Sequence, residues 1–486
     1  MATEARRRNW IAGWHGSSLD AFLSRVTAFA LADLVSALLS MSLSAAPAHA
    51  ADPSPLEIYS DGDAQLKGTF ALQTAAFHEI HSWWGKAAEN IGGNGNDWLE
   101  LGLWPGLEGE LGLGPGRGTL HGRVSGIFTL TTGGLDAAGS NFDPRAPSQI
   151  TLEDAYLGWR SEDAFPQLGE DAIQLSFGSQ PYELGSGFLL WDGSSDGGPR
   201  GGFWLAMRHA FKLAGIARLV THGVTGELVF LRPYDAPNTS TYLYGTNWEF
   251  AFGEKGVLGT IGAGYWKIYR SQIARRDGMS VYDVRADVTP LAGGELLPGL
   301  RLAGELAYEH DPGQVNARAW YTECGYAFDA APASPYVSYR FVYFSGAGSG
   351  SFERRFDPLF YGSSDWGTWY VGEILGNFVL SNGNLEIQTV RVRATPHEDV
   401  TLSLLYHHVK LDRIPNELVS RVETRAANVT SKPVAEEVDL VAEWEVNDWL
   451  SVTGVVGAAF PNAAAKQFTG GTATWVHLML FSQIAF

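Results

Sequence analysis

The stretch Trp475-Val476-His477-Leu478-Met479-Leu480-Phe481-Ser482-Gln483-Ile484-Ala485-Phe486 decides the fold. Val476, Leu478, Leu480, Ile484 and Phe486 fall on one side of an extended chain, with Ser482 as the one interruption, because strand side chains alternate between faces. Upstream, Val438, Leu440, Ala442, Trp444 and Val446 alternate with Glu437, Asp439, Val441, Glu443 and Glu445, so one face is apolar and the other mostly acidic. Asn447-Asp448 predicts a tight turn into a run with Leu450, Val452, Val456, Ala458 and Phe460 on one face and Ser451 and Thr453 on the other. The same alternation sets Tyr282, Val284, Ala286 and Val288 against Val281, Asp283, Arg285 and Asp287. It also sets Leu300, Leu302, Leu306 and Tyr308 against Arg301, Glu305 and Glu309. Tyr242, Tyr244, Trp248, Phe250 and Phe252 make an aromatic face, as a strand needs where it crosses the headgroup zones of a membrane.

Composition bounds the rest. The 486 residues are 45% hydrophobic and 12% aromatic, which excludes wholesale disorder, and 58 glycines with only 18% charged residues disfavour long helices. A net charge of -19 has the wrong sign for a general nucleic-acid binder. The single cysteine, Cys324, permits no intrachain disulfide or thiolate cluster, and it is expected to be buried and inert. Arg6, Arg7, Arg8 and Arg25, the apolar run Val26 to Leu43 and Ala48-His49-Ala50 predict a signal peptide over residues 1–50. Its removal takes four of the 34 basic and three of the 53 acidic residues, leaving about -20 on a chain starting near Ala51.

The remainder, residues 51–486, has no apolar run long enough to span a bilayer as a helix, and the bland mean hydropathy of the whole chain, -0.07, is compatible with alternating barrel strands. A soluble sandwich also alternates, but its strands seldom carry so many consecutive apolar positions opposite a face with both signs of charge. The reading is therefore an all-β transmembrane antiparallel barrel of about eighteen strands in a bacterial outer membrane, with short periplasmic turns and long extracellular loops. Gly92 to Asn96, Gly193 to Gly202 and Gly346 to Ser351 read as loops rather than domain linkers. The stretch 345–379 holds Phe356, Phe360, Tyr361, Trp366, Trp369 and Tyr370, which need burial at the barrel mouth or in the lumen, and it is a candidate gate.

Phe356-Asp357-Pro358-Leu359-Phe360-Tyr361-Gly362, then Gly376-Asn377-Phe378-Val379-Leu380-Ser381-Asn382-Gly383-Asn384-Leu385, resemble the alginate export family of outer-membrane barrels. The likeness continues through Pro396, Asp399-Val400-Thr401-Leu402 and Leu405-Tyr406-His407-His408. Earlier, Glu153-Asp154-Ala155-Tyr156-Leu157, Phe177-Gly178-Ser179-Gln180 and Leu190-Trp191-Asp192-Gly193 look like the family's strand and loop repeats. The specific core of the resemblance is residues 356 to 410. It implies a monomeric barrel of eighteen strands passing an anionic polysaccharide such as alginate through an arginine-lined lumen, beside periplasmic and inner-membrane synthesis partners.

The residues themselves supply candidates for that passage. Arg391 and Arg393 alternate with Val390 and Val392, so both are expected to face the lumen, and the resemblance implies that they stand at a selectivity constriction. Arg123, Arg160, Arg208, Arg285, Arg301 and Arg340 can face inward by the same alternation, and guanidinium groups match carboxylates in bidentate fashion. Glu153, Asp154, Asp283, Asp287 and Glu305, with Glu309, Glu437, Asp439 and Glu443, fall on the same faces. These acids are expected to pair with the arginines, Asp283 and Asp287 flanking Arg285.

Other signals carry less. His78-Glu79-Ile80-His81 lacks the zinc-protease spacing and reads as a strand end or loop. Gly114, Gly116 and Gly118 read as a turn, and Asp192-Gly193-Ser194-Ser195-Asp196 fits no complete calcium site. His407 and His408 point to opposite faces and cannot chelate together. Neither a metal, a cofactor nor a catalytic set is expected. The alternatives are an uptake or general diffusion porin, cation-preferring on its acid excess, and a barrel enzyme acting on lipid or polysaccharide.

Overall fold

A computed structural model describes residues 56–83, 97–133, 147–234, 240–253, 258–292, 294, 296–347, 353–362, 371–414, 418–419, 424–425 and 429–486. The predicted signal peptide, Gly92 to Asn96, most of Gly346 to Ser351, and Trp366, Trp369 and Tyr370 lie outside these residues.

The strands run β1 Leu56–Asp61, β2 Ala64–Ile80, β3 Asp97–Gly112, β4 Thr119–Gly133, β5 Ser148–Arg160, β6 Ile173–Gln180 and β7 Phe211–Thr221. They continue as β8 Val224–Arg232, β9 Tyr242–Phe252, β10 Gly259–Arg270, β11 Ser280–Val288, β12 Leu300–Asp311, β13 Val315–Ala327 and β14 Tyr336–Phe344. The last are β15 Leu385–His397, β16 Val400–Leu411, the short pair β17 Leu418–Val419 and β18 Thr424–Arg425, then β19 Pro433–Asn447, β20 Leu450–Pro461 and β21 Trp475–Ala485. One antiparallel sheet holds nineteen of these; β1 pairs only with β2, and the other eighteen close on themselves because β2 pairs with both β3 and β21. Closure removes the sheet edges, which a lipid environment demands since it cannot hydrogen-bond a free strand. The Leu56 end of β1 meets β2 at Gly68, just beyond Phe486, whose backbone exchanges hydrogen bonds with Phe70. Thus β1 continues the line of β21.

Alternation is what turns the sequence into a barrel wall. Phe177, Leu228, Trp248, Phe250, Val284 and Leu440 are exposed on the outer face, while their neighbours in sequence point inward. Cys324 lies on this outer face of β13 and is exposed, contrary to the buried position expected, because Glu323 and Gly325 take the inward positions. His407 is buried inside, and His408 on the other face lies 2.7 Å from Glu436.

The two ends differ. At the end bearing Phe486 the turns are short: residues 222–223, 398–399 and 448–449 each join a strand pair. There Asn447 Oδ1 accepts from the backbone N–H groups of Trp449 and Leu450 at 3.1 and 3.0 Å, closing the expected tight turn. Long connections, 181–210 and 345–384 above all, gather at the opposite end. Outer-membrane barrels keep short turns on the periplasmic side, which orients the molecule.

Candidate functional site

Two long connections fold into the extracellular half of the barrel. Residues 181–210 join β6 to β7, and residues 345–384 join β14 to β15. They lock together through a parallel bridge between Leu190 and Phe360, where the N–H groups of Trp191 and Asp192 donate to the Phe360 carbonyl at 2.8 and 2.9 Å. Gly362 N–H donates to Gly187 O at 2.9 Å. Apolar residues drive the insertion: Leu184, Phe188, Leu190, Phe356, Leu375 and Phe378 are almost wholly buried. Phe378 stacks on Trp475 at 5.8 Å and meets Trp98 edge-on at 6.0 Å, so the loop packs on wall residues of β21 and β3. Gly102 of β3 makes room for the 181–210 connection, since a Cβ there would lie 1.9 Å from Met207 Sδ.

The inserted backbone needs acceptors, and wall carboxylates supply them. Glu100 takes the N–H groups of Trp204 and Leu205 at 2.9 and 3.0 Å, and Glu153 those of His209 and Ala210 at 2.7 and 2.6 Å. Glu437 takes those of Ile374 and Leu375 at 2.6 and 2.9 Å, at the start of the short helical turn that runs to Val379. Asp439 takes Glu373 N–H at 3.3 Å, and Glu309 takes Asp357 N–H at 3.0 Å. Side chains add a second tier: Trp204 Nε1 donates to Glu373 at 2.6 Å, and Trp475 Nε1 donates to Glu79, whose other oxygen lies 2.6 Å from His477 Nδ1.

Within the loops, burial pushes the Asp196 carboxyl up to about 7, against the Arg208 N–H that it accepts. Burial also raises Glu373. It works against a charged His209 ring, but Asp192 and Glu153 hold that ring above its ordinary value. For Asp357 burial is outweighed by Arg276 and Arg275, which hold the carboxyl at about 2.

The periplasmic half is built differently, from arginines on the lower ends of strands. Arg123 sits over Trp104 between Glu108 at 2.7 Å and Asp154 at 3.0 Å. Arg160 forks onto Glu110 through two bonds of 3.0 Å. Arg340 donates to Glu323 at 2.7 Å, and Arg301 forks onto Asp287 at 2.8 and 2.5 Å. Arg391 lies over Tyr336 at 5.9 Å. Arg393 is exposed and makes no ion pair among the described residues. Val390 and Val392 occupy the outer face between them, as the alternation requires.

Several expectations need correction. Arg208 is not a strand residue; it lies in the inserted 181–210 connection, 4% exposed, over Tyr234 at 4.8 Å and 3.6 Å from Glu153, so it faces no open passage. Asp287 does not flank Arg285 but serves Arg301 on the next strand. Arg285 is instead held by Asp283 and Glu249, both at 2.5 Å. It reaches Glu249 by crossing β10 at Gly262, where a Cβ would stand 2.7 Å from its Cζ. Glu305 is buried beside Asp283 and Ser186, so it too meets an inserted loop rather than an open lumen. Glu153 and Asp154 do both point inward, which plain alternation forbids; a bulge opposite Ser125 allows it, the pairing passing from Val124–Ala155 to Gly126–Leu152. Glu79, Glu100, Glu249, Glu323 and Glu373 stand outside the expected set. Glu100 had a signal, since Trp98, Glu100 and Gly102 alternate with Leu99, Leu101 and Leu103.

Among the described residues no group of histidine, cysteine, aspartate and glutamate side chains could hold a metal ion. No curated protein matches the chain. Among solved structures it is similar to Pseudomonas aeruginosa OccK5 (OpdH), at 10% identity and a TM-score of 0.53, covering 87% of this chain and 98% of that one. It is also similar to Pseudomonas aeruginosa OpdK, determined with vanillate, at 12% identity and a TM-score of 0.52, covering 87% and 98%. These likenesses show a shared fold, the closed antiparallel β-barrel of outer-membrane proteins. Residues 299–474, from the turn before β12 to the connection between β20 and β21, match the family described as alginate export, so the resemblance seen in residues 356 to 410 holds over that part of the chain.

Proposed function

We propose that the barrel conducts an anionic exopolysaccharide such as alginate from the periplasm to the surface of a Gram-negative cell. The observation that carries this is the set of arginines on the inner wall: Arg123, Arg160, Arg301, Arg340, Arg391 and Arg393 take inward positions on β4, β5, β12, β14 and β15, and Arg393 is exposed. The acid excess does not argue against an anionic cargo, because Glu100, Glu153, Glu309, Glu437 and Asp439 are occupied by loop N–H groups and almost wholly buried. A polymer with one carboxylate per sugar would exchange among paired arginines in steps, each contact weak enough to leave. In this reading the barrel acts as a monomer, receives its polymer from periplasmic partner proteins, and is gated by the 345–379 segment.

A second reading, a porin for small solutes, draws support from the insertion of two loops, which narrows the extracellular half. The reversal potential in a planar bilayer under a salt gradient separates the two. Polymer passage expects anion selectivity, block by polymannuronate, and loss of both when Arg391 and Arg393 become glutamate. Cation selectivity indifferent to the polymer would overturn it in favour of the porin.

A further inference from the structure

A basic cavity lies in the extracellular half, within acidic surroundings. It lies between the 271–279 connection and the 345–384 loop, has a volume of about 260 Å³, and is lined by Arg275, Arg276, Arg355, Asp357, Pro358 and Ser381 among others. Its charges do not balance internally. Arg276 clamps Asp357 through two hydrogen bonds of 2.9 and 2.7 Å. Arg275 stands 3.7 Å from both Glu309 and Asp357 and donates to the Arg355 carbonyl. Two cations thus serve two carboxylates, all four well buried. The third cation, Arg355, makes no side-chain hydrogen bond or ion pair among the described residues. Its backbone is fixed on both sides, its N–H donating to Glu353 at 3.0 Å and its carbonyl accepting from Arg275.

We propose that this cavity is an anion subsite that takes the carboxylate of a single sugar acid on Arg355. A planar guanidinium presented by a rigid backbone and lacking a protein carboxylate favours a bidentate anion. The volume is below the ~300 Å³ at which pockets for drug-sized ligands begin, which suits one sugar ring rather than several. Pro358 and Leu380 offer apolar wall to the C–H face of such a ring. The subsite would hold the leading sugar of a polymer that has left the wall arginines, and in naming that occupant it rests on the polyanion reading.

The test is block of single-channel current by mannuronate monomer added on the extracellular side, with mannose as the neutral control. Block by mannuronate alone is expected, weakened about tenfold by Arg355→Gln and partly restored by Arg355→Lys. Equal block by mannose, or block unchanged in Arg355→Gln, overturns the subsite. Unaltered conductance in potassium chloride shows that the variants have assembled. For a variant that does not insert, calorimetric titration of mannuronate into the detergent-solubilised parent decides instead, and absence of binding below about 10 mM overturns the proposal. Periplasmic-side block by polymannuronate, with and without Arg393→Gln, reads the polyanion passage separately. Loss of passage with Arg355-dependent block intact leaves a subsite for free sugar acids, and the converse removes the subsite alone.

Discussion

In the extracellular half of the lumen, carboxylates meet backbone N–H groups of inserted loops; in the periplasmic half, they meet guanidinium groups of the neighbouring wall. Glu437 and Glu323 illustrate the difference. Glu437 accepts from Ile374 and Leu375 and is wholly buried, so its role is to hold chain in place. Glu323 accepts from Arg340, 15% exposed at its side chain, on the adjacent strand of the same wall. One arrangement converts acid into plug attachment, and the other neutralises it within the wall. Net charge summed over the chain therefore says little about the field a passing solute meets.

If the upper half is a packed core, cutting into it should have the largest effect. Phe378→Ala removes a fully buried ring between Trp98 and Trp475 and should cost about 3–5 kcal/mol of local stability. The loop would then leave the wall, and single-channel conductance should rise with rapid flicker. A variant with parental conductance would show that the 345–384 loop does not limit current.

Glu437→Ala should come next. It strands two buried N–H groups, each unsatisfied donor costing roughly 1–3 kcal/mol, while leaving the apolar packing intact. Faster proteolysis within residues 345–384 of the detergent-solubilised barrel would register the loosened loop, and an unchanged cleavage rate would mean that Phe378 and its neighbours suffice. In the lower half the same kind of change should act on current rather than on structure. Arg393→Gln touches an exposed side chain and should shift thermal stability by less than about 0.5 kcal/mol. Its reversal potential should still move toward cations, and a variant unchanged in both respects would detach Arg393 from ion selection.

The wall was legible in the sequence because its rule is local. Leu440 and Glu437 part to opposite faces by parity alone, and about eighteen segments follow from repeating that test. The plug was not legible, because its contacts join residues far apart through groups that every residue carries. Nothing in Ile374-Leu375 marks their N–H groups as partners of Glu437, and Arg208 reads as a strand residue until the chain is seen to turn inward before Phe211. The bulge at Glu153-Asp154 is a third case: one extra residue brings two acids to one face, and only the pairing with Ser125 reveals it. The set of wall arginines lies between these extremes. Alternation gave inward direction for Arg301 and Arg340, but partner choice depends on the neighbouring strand, as Asp287 shows by serving Arg301 instead of Arg285.

The smallest effect should separate the two inserted loops by pH. Asp196 in the 181–210 loop has its carboxyl raised to about 7 by burial, so the folded loop holds a proton that the released loop gives up near the ordinary value of 3.8. Its contribution is thus fully present below 3.8 and is lost as pH rises through about 7. Asp357 in the 345–384 loop behaves oppositely: Arg276 and Arg275 overcome burial and hold it at about 2, so its contribution is present above 3.8 and is lost only as pH falls toward 2. Between pH 5 and 8, amide hydrogen exchange corrected for intrinsic rates should therefore speed up in the Ser194 to Arg208 region and stay flat around Asp357. Asp196→Asn should abolish the first change, because the amide keeps an acceptor for Arg208 N–H and cannot titrate. Parallel behaviour of the two loops would mean that they move as one plug, bound by the Leu190–Phe360 bridge more tightly than by their separate attachments to the wall.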